Sequence, residues 1–205
     1  MKERPILFSA PMVRAILEGR KTQTRRAVRK QFSADAEPAE VAATSPEGWQ
    51  ISGHSGLWWD DAGACIDDAI RCPYGKPGDR LWVRETWAYG VHAIAAERDE
   101  DGPFVYRADG TDQGRLCARW RPSIHMPRSA SRILLEITAV RVERLKDITW
   151  SDAAKEGIHV PRRARDRVDP EIGCVAQFRM LWEQINGSGS WDTNPWVWVV
   201  EFKRV

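Results

Sequence analysis

The sequence lacks the features that mark membrane proteins, secreted precursors and repeat proteins. No run approaches the roughly 18 apolar residues that a membrane-spanning helix needs. The apolar stretch at residues 5–8 is too short for a secretory signal, and we find no internal repeat. These absences predict one cytoplasmic domain over residues 1–205, with no membrane partner.

Cysteine is scarce as well. The chain has four cysteines in 205 residues, Cys65, Cys72, Cys117 and Cys174. They are too few and too scattered for a disulfide framework, so we expect reduced thiols. Cys65 and Cys72 lie near His54 in the sequence, but their spacing fits no common structural zinc site. We therefore predict no metal and no cofactor.

Overall charge is low, whereas the basic residues are clustered. The formal net charge is +2, yet arginine and lysine concentrate within residues 20–30 and again within residues 162–167. Such clusters suit a phosphate-bearing partner, although clustered charges are more often simply solvated surface. Charge by itself therefore leaves nucleic acid binding open.

Tryptophan is abundant, with eleven in the chain. Most lie in apolar, strand-like runs such as residues 81–83 and 196–200, which predicts core packing. Because an aromatic ring can cover the face of any base, a base-stacking role for one or two of them stays open.

The apolar periodicity predicts an α+β fold. Strands are expected at about residues 5–8, 22–28, 80–87, 104–108, 132–145 and 195–205, and helices from Pro11 to Gly19, from Thr149 to near Gly157 and over about 172–186. Residues 31–47 and 162–169 are expected to be loops, and residues 48–60 a hairpin. The period slips at residues 138–140, which indicates a bulge. Without regular strand–helix alternation, a small curled sheet or barrel with helices at its rim is favoured.

Four stretches resemble one family in the same order. Residues 17–26, Leu-Glu-Gly-Arg-Lys-Thr-Gln-Thr-Arg-Arg, resemble the signature of ASCH-domain proteins, and residues 77–83, 145–157 and 198–203 resemble later parts of that family. The resemblance implies a small PUA-like β-barrel with loops inserted at about residues 29–72 and 88–129. Residues 120–128 resemble a stretch of the longer phage and prophage ASCH proteins. Whether the insertions form a lid or a docking surface stays open.

Within the ASCH family, the motif is most similar to that of small bacterial N4-acetylcytidine amidohydrolases. Their pattern Gly-Arg-Lys-Thr-x-Thr-x-Arg matches residues 19–26. The resemblance implies that Lys21, Thr24 and Glu156 are catalytic, and that Arg20 and Arg26 hold the pocket together or contact the ligand. It implies a nucleoside or nucleobase substrate carrying an acyl group on cytosine N4.

The chemistry of these side chains is coherent with that activity. The Thr24 hydroxyl would attack the acyl carbonyl, Lys21 as the free amine would take its proton, and Glu156 would orient Lys21 or help to protonate the departing nitrogen. The pKa of Lys21 would have to fall from about 10.4 toward about 8. Arg25 and Arg26 lower it by like-charge repulsion, whereas Glu156 raises it, so burial and the arginines must outweigh Glu156.

A second function is predicted beside the first. The same pocket and basic rim could serve as a binding module for RNA or a modified base, or as a ribonuclease. In that case Arg20, Arg25, Arg26 and Arg29 would contact phosphates. A closed pocket would favour the free nucleoside, and an open basic groove would favour a strand.

Overall fold

The computed structural model describes residues 1–29, 31, 72–90, 104–110, 119–158 and 170–205, without the side chains of residues 170–172. The strands are β1 (Glu3–Leu7), β2 (Gln23–Ala27), β3 (Arg80–Arg84), β4 (Trp87–Tyr89), β5 (Phe104–Tyr106), β6 (Leu134–Arg144) and β7 (Trp196–Arg204), and the helices are α1 (Ala10–Leu17), α2 (Trp150–Lys155) and α3 (Pro170–Asn186). The α+β class is therefore confirmed. The predicted hairpin, the loop at 162–169, nearly all of the loop at 31–47, and Cys65, Cys117 and His54 lie outside the described residues.

Five strands form one sheet in the order β1-β3-β6-β7-β2, and β4 pairs with β5 in a second, two-stranded sheet. Strands β1 and β3 are parallel, and the other pairs are antiparallel. Within the described residues no pairing of β1 with β2 closes the larger sheet, so the predicted barrel is not seen there. Helix α1 lies between these two edge strands in the chain, and its Val13 and Ile16 pack in the adjoining core. One side-chain hydrogen bond of 2.6 Å, from Arg26 Nη2 to the Leu7 carbonyl, links the edges instead.

The long strands β6 and β7 form the centre of the sheet. Their register shifts between Ile137 and Ala139, which confirms the predicted bulge. Residues 196–200 are buried on both faces of the sheet. Trp198 and Val200 pack on the α1 side, whereas Val197 and Val199 pack on the side of α2 and α3. The core role predicted for the tryptophans of this run is therefore confirmed.

The prediction of one strand over residues 80–87 is wrong. Strand β3 ends at Arg84, and β4 begins at Trp87. Between them Glu85 is buried and forms a 2.9 Å ion pair with Arg132. Trp87 then exchanges backbone hydrogen bonds with Arg121. The chain thus leaves the large sheet at Glu85, whose carboxylate pairs with Arg132. The residues after Glu85 pair with β5 and with Arg121 instead.

The helix ends follow the local signals. Gly19 has φ of 71°, the left-handed conformation expected after α1. Thr149 and Asp152 form the predicted capping box at the start of α2. Helix α3 begins at Pro170, slightly before the predicted start. No helix in the described part of the chain is long and apolar enough to cross a membrane.

Candidate functional site

The end of α1 and the end of α2 meet at Lys21. After Gly19, the backbone N–H groups of Arg20 and Lys21 both donate to the Ala15 carbonyl, at 2.8 and 2.9 Å. Lys21 then forms an isolated antiparallel bridge with Glu156. Residues that are 135 positions apart in the chain are thereby held side by side through their backbones.

Gly157 allows this close approach. Its φ is 89°, a backbone conformation that residues other than glycine rarely adopt. A Cβ atom at this position would lie 2.8 Å from the Ala15 Cβ and 3.2 Å from the Lys21 Cβ. Glycine is therefore required both for the backbone turn and for the contact between α1 and the end of α2.

The ammonium group of Lys21 is buried and fully hydrogen-bonded. Its Nζ donates to the carboxylate Oε2 of Glu156 at 2.7 Å, to the Glu156 carbonyl at 2.9 Å and to the Gln23 carbonyl at 2.9 Å. Three acceptors match the three donors of the charged amine. Loss of one proton would leave two donors and a lone pair, which is the form that a general base needs.

Burial lowers the pKa of Lys21 below its ordinary value of 10.5. The charge of Glu156 and its hydrogen bond raise the pKa, whereas the charges of Arg26 and Arg25 lower it further. Burial is the largest of these contributions, and the net shift of the Lys21 pKa is downward. A lysine held in this way is poised closer to the free amine than an exposed one.

Glu156 is the C-cap residue of α2. A carboxylate at this end of a helix is disfavoured by the helix dipole, so a nearby cation stabilises it. Lys21 supplies it through the 2.7 Å ion pair. The structure thus brings together two of the three residues predicted to be catalytic.

Arg25 lies on the other side of Glu156. Its side chain is 0% exposed and contacts three carboxylates: Glu143 at 2.9 Å, Asp152 at 3.3 Å and Glu156 Oε1 at 3.5 Å. The contact with Glu143 is also a hydrogen bond. Arg25 is therefore buried within the protein, and the prediction that it contacts phosphate is wrong for this conformation.

Several buried polar atoms near Glu156 have no hydrogen-bond partner. They are Nε and Nη1 of Arg25, Oε1 of Glu156 and Oε1 of Gln23. Buried polar atoms are usually satisfied, because an unmade hydrogen bond is costly. Two of them, Arg25 Nη1 and Glu156 Oε1, face each other in a 3.5 Å ion pair without forming a hydrogen bond.

Thr24 lines a small cleft beside Glu156. The threonine is 3% exposed, and no hydrogen bond joins it to Lys21 or Glu156 in the described part of the chain. The cleft has a volume of about 50 Å³ and lies along β2, which residues of α1, α3 and the end of α2 border. Its walls are formed by Met12, Thr24, Arg25, Arg26, Ala27, Glu156, Phe178, Leu181, Trp182, Ile185 and Asn186. That volume is room for about three or four water molecules.

The two predicted binding arginines have different surroundings. Arg26 lines the cleft, and its guanidinium lies 5.5 Å from the centre of the Phe8 ring. Lys21 Nζ lies 5.4 Å from the same ring. Arg20 is 39% exposed, pairs with Glu18 and donates to the Gly157 carbonyl at 3.0 Å. Arg26 therefore borders the cleft, whereas Arg20 fixes the turn behind it.

Sequence reasoning did not identify two parts of this site. The partners of Arg25, Glu143 and Asp152, are more than a hundred positions away in the chain, and nothing in their local sequence indicates that they meet it. The apolar cleft wall from α3 was also missed, because its residues read as an ordinary core-facing stripe.

The described residues contain no group of three His, Cys, Asp or Glu side chains placed to hold a metal ion. Cys72 and Cys174 are buried free thiols. Comparisons of the chain with protein-family models, curated proteins and solved structures found no match.

Proposed function

We propose that this protein is an amidohydrolase that removes the acyl group from N4-acylated cytosine compounds, of which N4-acetylcytidine is the type. The substrate is proposed from the resemblance of residues 17–26 to ASCH-domain amidohydrolases. A PUA-like fold is part of the same proposal. One observation carries the chemistry: a buried Lys21–Glu156 pair at 2.7 Å, whose carboxylate lines the same cleft as Thr24.

The proposed reaction uses Thr24 as nucleophile. Lys21, as the free amine, takes the Thr24 proton while Oγ attacks the acyl carbon, and the resulting ammonium returns that proton to N4 as the C–N bond breaks. Cytidine leaves, and the acyl group stays on Thr24 as an ester. Water then attacks the ester, its proton passes through Lys21 to the Thr24 oxygen, and the carboxylic acid is released.

Glu156 orients Lys21 during these proton transfers. To accept a proton from Thr24, Nζ must first lose one proton and release one of its three present acceptors. The shortest of the three bonds, to Oε2 of Glu156 at 2.7 Å, is the one we expect it to keep. Retaining this bond and releasing the Gln23 carbonyl would turn the lone pair toward β2. Glu156 would then stabilise the ammonium that forms after each proton transfer.

The small cleft suits the acyl end of the substrate. A volume of about 50 Å³ is enough for a short acyl group but not for a nucleoside. We infer that the acyl–amide end enters between β2 and α3 while the base lies outside. The apolar side chains of Leu181 and Ile185 would face the acyl chain.

Direct assay with matched variants tests the proposal. Conversion of N4-acetylcytidine to cytidine is followed by absorbance, with and without chelator. We expect turnover in both conditions, and losses of about 10²–10⁴-fold in Lys21→Met and Glu156→Gln. Thr24→Val should lose turnover, whereas Thr24→Ser should retain part of it. Lys155→Met, which removes an exposed lysine next to Glu156, is the matched control and should be unchanged.

The pH dependence has a definite sign. Because the free amine of Lys21 is the active form, kcat/KM should rise with pH and level off below 10.5, the ordinary lysine value. Folded protein without turnover on any N4-acylcytosine would refute the amidohydrolase assignment. Retention of an RNA oligonucleotide by that inactive protein would favour the second function, a binding module for RNA or a modified base.

A further inference from the structure

We propose that Arg25 is a positioning residue that holds the second carboxylate oxygen of Glu156, so that one carboxylate is shared between two buried cations. Its catalytic consequence rests on the proposed function. The sharing itself is a property of the cluster and can be tested without turnover.

The two oxygens of Glu156 have different partners. Oε2 accepts from Lys21 Nζ at 2.7 Å, and Oε1 lies 3.5 Å from Arg25 Nη1. A carboxylate contacted from both sides cannot rotate about its Cγ–Cδ bond without losing one contact. Arg25 therefore restricts the orientation in which Glu156 meets Lys21.

Arg25 is itself anchored from two elements. Glu143 on β6 accepts a hydrogen bond from Nη2 at 2.9 Å, and Asp152 on α2 lies 3.3 Å from the same nitrogen. Arg141, also on β6, contacts Glu143 and lies 3.6 Å from Asp152. The charged groups around Lys21 and Arg25 are thus Glu143, Asp152, Glu156, Arg26 and Arg141.

Arg25 borders the cleft, but its guanidinium is engaged by three carboxylates, so we assign its action to Glu156 and not to a ligand. Its side chain is 0% exposed. In β2, side chains alternate between the two faces of the sheet, so Arg25 lies on the α2 side and Thr24 on the α1 side. Within the described residues β2 is an edge strand, and just before it Lys21 bridges to Glu156, so groups from both faces of the sheet can influence this carboxylate.

The arrangement also favours the basic form of Lys21. Arg25 and Arg26 lower the pKa of Lys21 in the same direction as burial, and Glu156 opposes them. Part of the negative charge of Glu156 is directed to Arg25, which weakens its hold on the Lys21 proton. Nη1 of Arg25 and Oε1 of Glu156 form an ion pair at 3.5 Å without a hydrogen bond, whereas Oε2 of the same carboxylate is hydrogen-bonded to Lys21 at 2.7 Å.

The test compares Arg25→Met and Arg25→Lys by two measurements. The first is the pH profile of kcat and KM with N4-acetylcytidine. Arg25→Met should lose about 10–100-fold in kcat at neutral pH with little change in KM, in line with the loss of other outer-sphere partners. The loss should shrink at high pH, because the rising limb of the pH profile shifts to higher pH. Arg25→Lys should recover part of the rate. Arg141→Met, which removes a nearby cation that does not contact Glu156, should leave the limb in place.

The second measurement is the pH titration of the Lys21 Nζ by ¹⁵N NMR, with its signal assigned by loss in Lys21→Arg. The Lys21 pKa should rise in Arg25→Met and rise less in Arg25→Lys. If wild-type protein does not hydrolyse the substrate, the proposed function fails while this titration still decides the role of Arg25. If Arg25→Met does not fold, the smaller rise in Arg25→Lys carries the test. A folded variant whose Lys21 titrates as in wild type, or whose kcat loss is equal at every pH, would overturn the inference.

Discussion

Arg132 and Arg25 each lie between carboxylates, and their surroundings differ. Arg132 donates to Glu85 at 2.9 and 3.2 Å and to Asp109 at 2.8 and 2.7 Å, and it lies 3.9 Å from the Tyr106 ring centre. Its side chain is 27% exposed. Arg25, at 0% exposure, makes one hydrogen bond and two longer ion pairs.

We interpret this difference as one between a structural ion cluster and the cluster of the proposed active site. Around Arg132 the forked guanidinium is matched to its two carboxylates, as expected where geometry serves stability. Around Arg25, two of the three ion pairs are longer than 3 Å, Nε and Nη1 make no hydrogen bond, and Glu156 also pairs with Lys21 and borders the cleft. Buried charge that is incompletely satisfied is typical of sites whose groups must change partners or protonation.

The largest expected effect on stability comes from Arg132. Arg132→Met leaves Glu85, which is 1% exposed, without its cation, so we expect a loss of about 3–5 kcal/mol in the free energy of unfolding at neutral pH. Urea denaturation measures it. Lys203→Ala, which breaks the exposed pair with Glu136, is the control and should change the free energy by at most about 1 kcal/mol.

Turnover by Arg132→Met tests the difference between the Arg132 and Arg25 clusters more directly than stability does. Because Arg132 lies outside the cleft, the folded fraction of this variant should hydrolyse substrate at the wild-type rate. A loss of kcat comparable to that of Glu156→Gln would contradict the division between the two clusters.

The next effect is the response of the two clusters to acid. Burial raises the pKa of Glu85 above 4.5, more than Arg132 lowers it. For Asp152, burial also raises the pKa, but hydrogen bonds with Thr149 and the charges of Arg25 and Arg141 outweigh it, so the pKa lies below 3.8. The stability that Glu85 contributes is therefore present below pH 4.5 and lost as pH rises through its folded pKa. That of Asp152 is present above pH 3.8 and lost as pH falls through its folded pKa.

Two carboxamide variants should separate these opposite signs. Asp152→Asn should make the loss of unfolding free energy on acidification less steep, and Glu85→Gln should remove the gain that acidification brings above pH 4.5. Each group changes the slope by at most about 1.4 kcal/mol per pH unit. Urea unfolding at several pH values measures the slopes, with the exposed Asp147→Asn as control. Parallel profiles for Asp152→Asn and Glu85→Gln would show that the two clusters do not differ in this way.

The smallest effect is expected at Arg20, whose partly exposed ion pair with Glu18 is a reference for both clusters. Arg20→Ala should change the free energy of unfolding by no more than about 1 kcal/mol. Since Arg20 does not line the cleft, KM should stay within about twofold of wild type, a difference of roughly 0.4 kcal/mol. A large rise in KM would instead indicate that Arg20 contacts the ligand, as the resemblance implies.

Local signals predicted much of the fold. The cap at Thr149, the glycine after α1 and the bulge in β6 follow from backbone and side-chain preferences within a few residues. The break between β3 and β4 was not predicted, because Glu85 at the break pairs with Arg132, which is 47 positions away in the sequence. The choice between a curled sheet and a barrel could not be made from the sequence, because the pattern of a strand is the same whether or not its neighbour closes a barrel.

The sequence by itself determined which chemical groups are available near residues 19–26, and alternation along β2 determined that Thr24 and Arg25 face opposite ways. Only the tertiary structure decided that Lys21 is buried against Glu156, that Arg25 reaches three carboxylates and that α3 forms the cleft wall. The physical reason is that charge–charge interaction and burial depend on distances through space. Here those distances are set by Gly157, which lets the end of α2 approach Lys21, and by the pairing of β2 with β7.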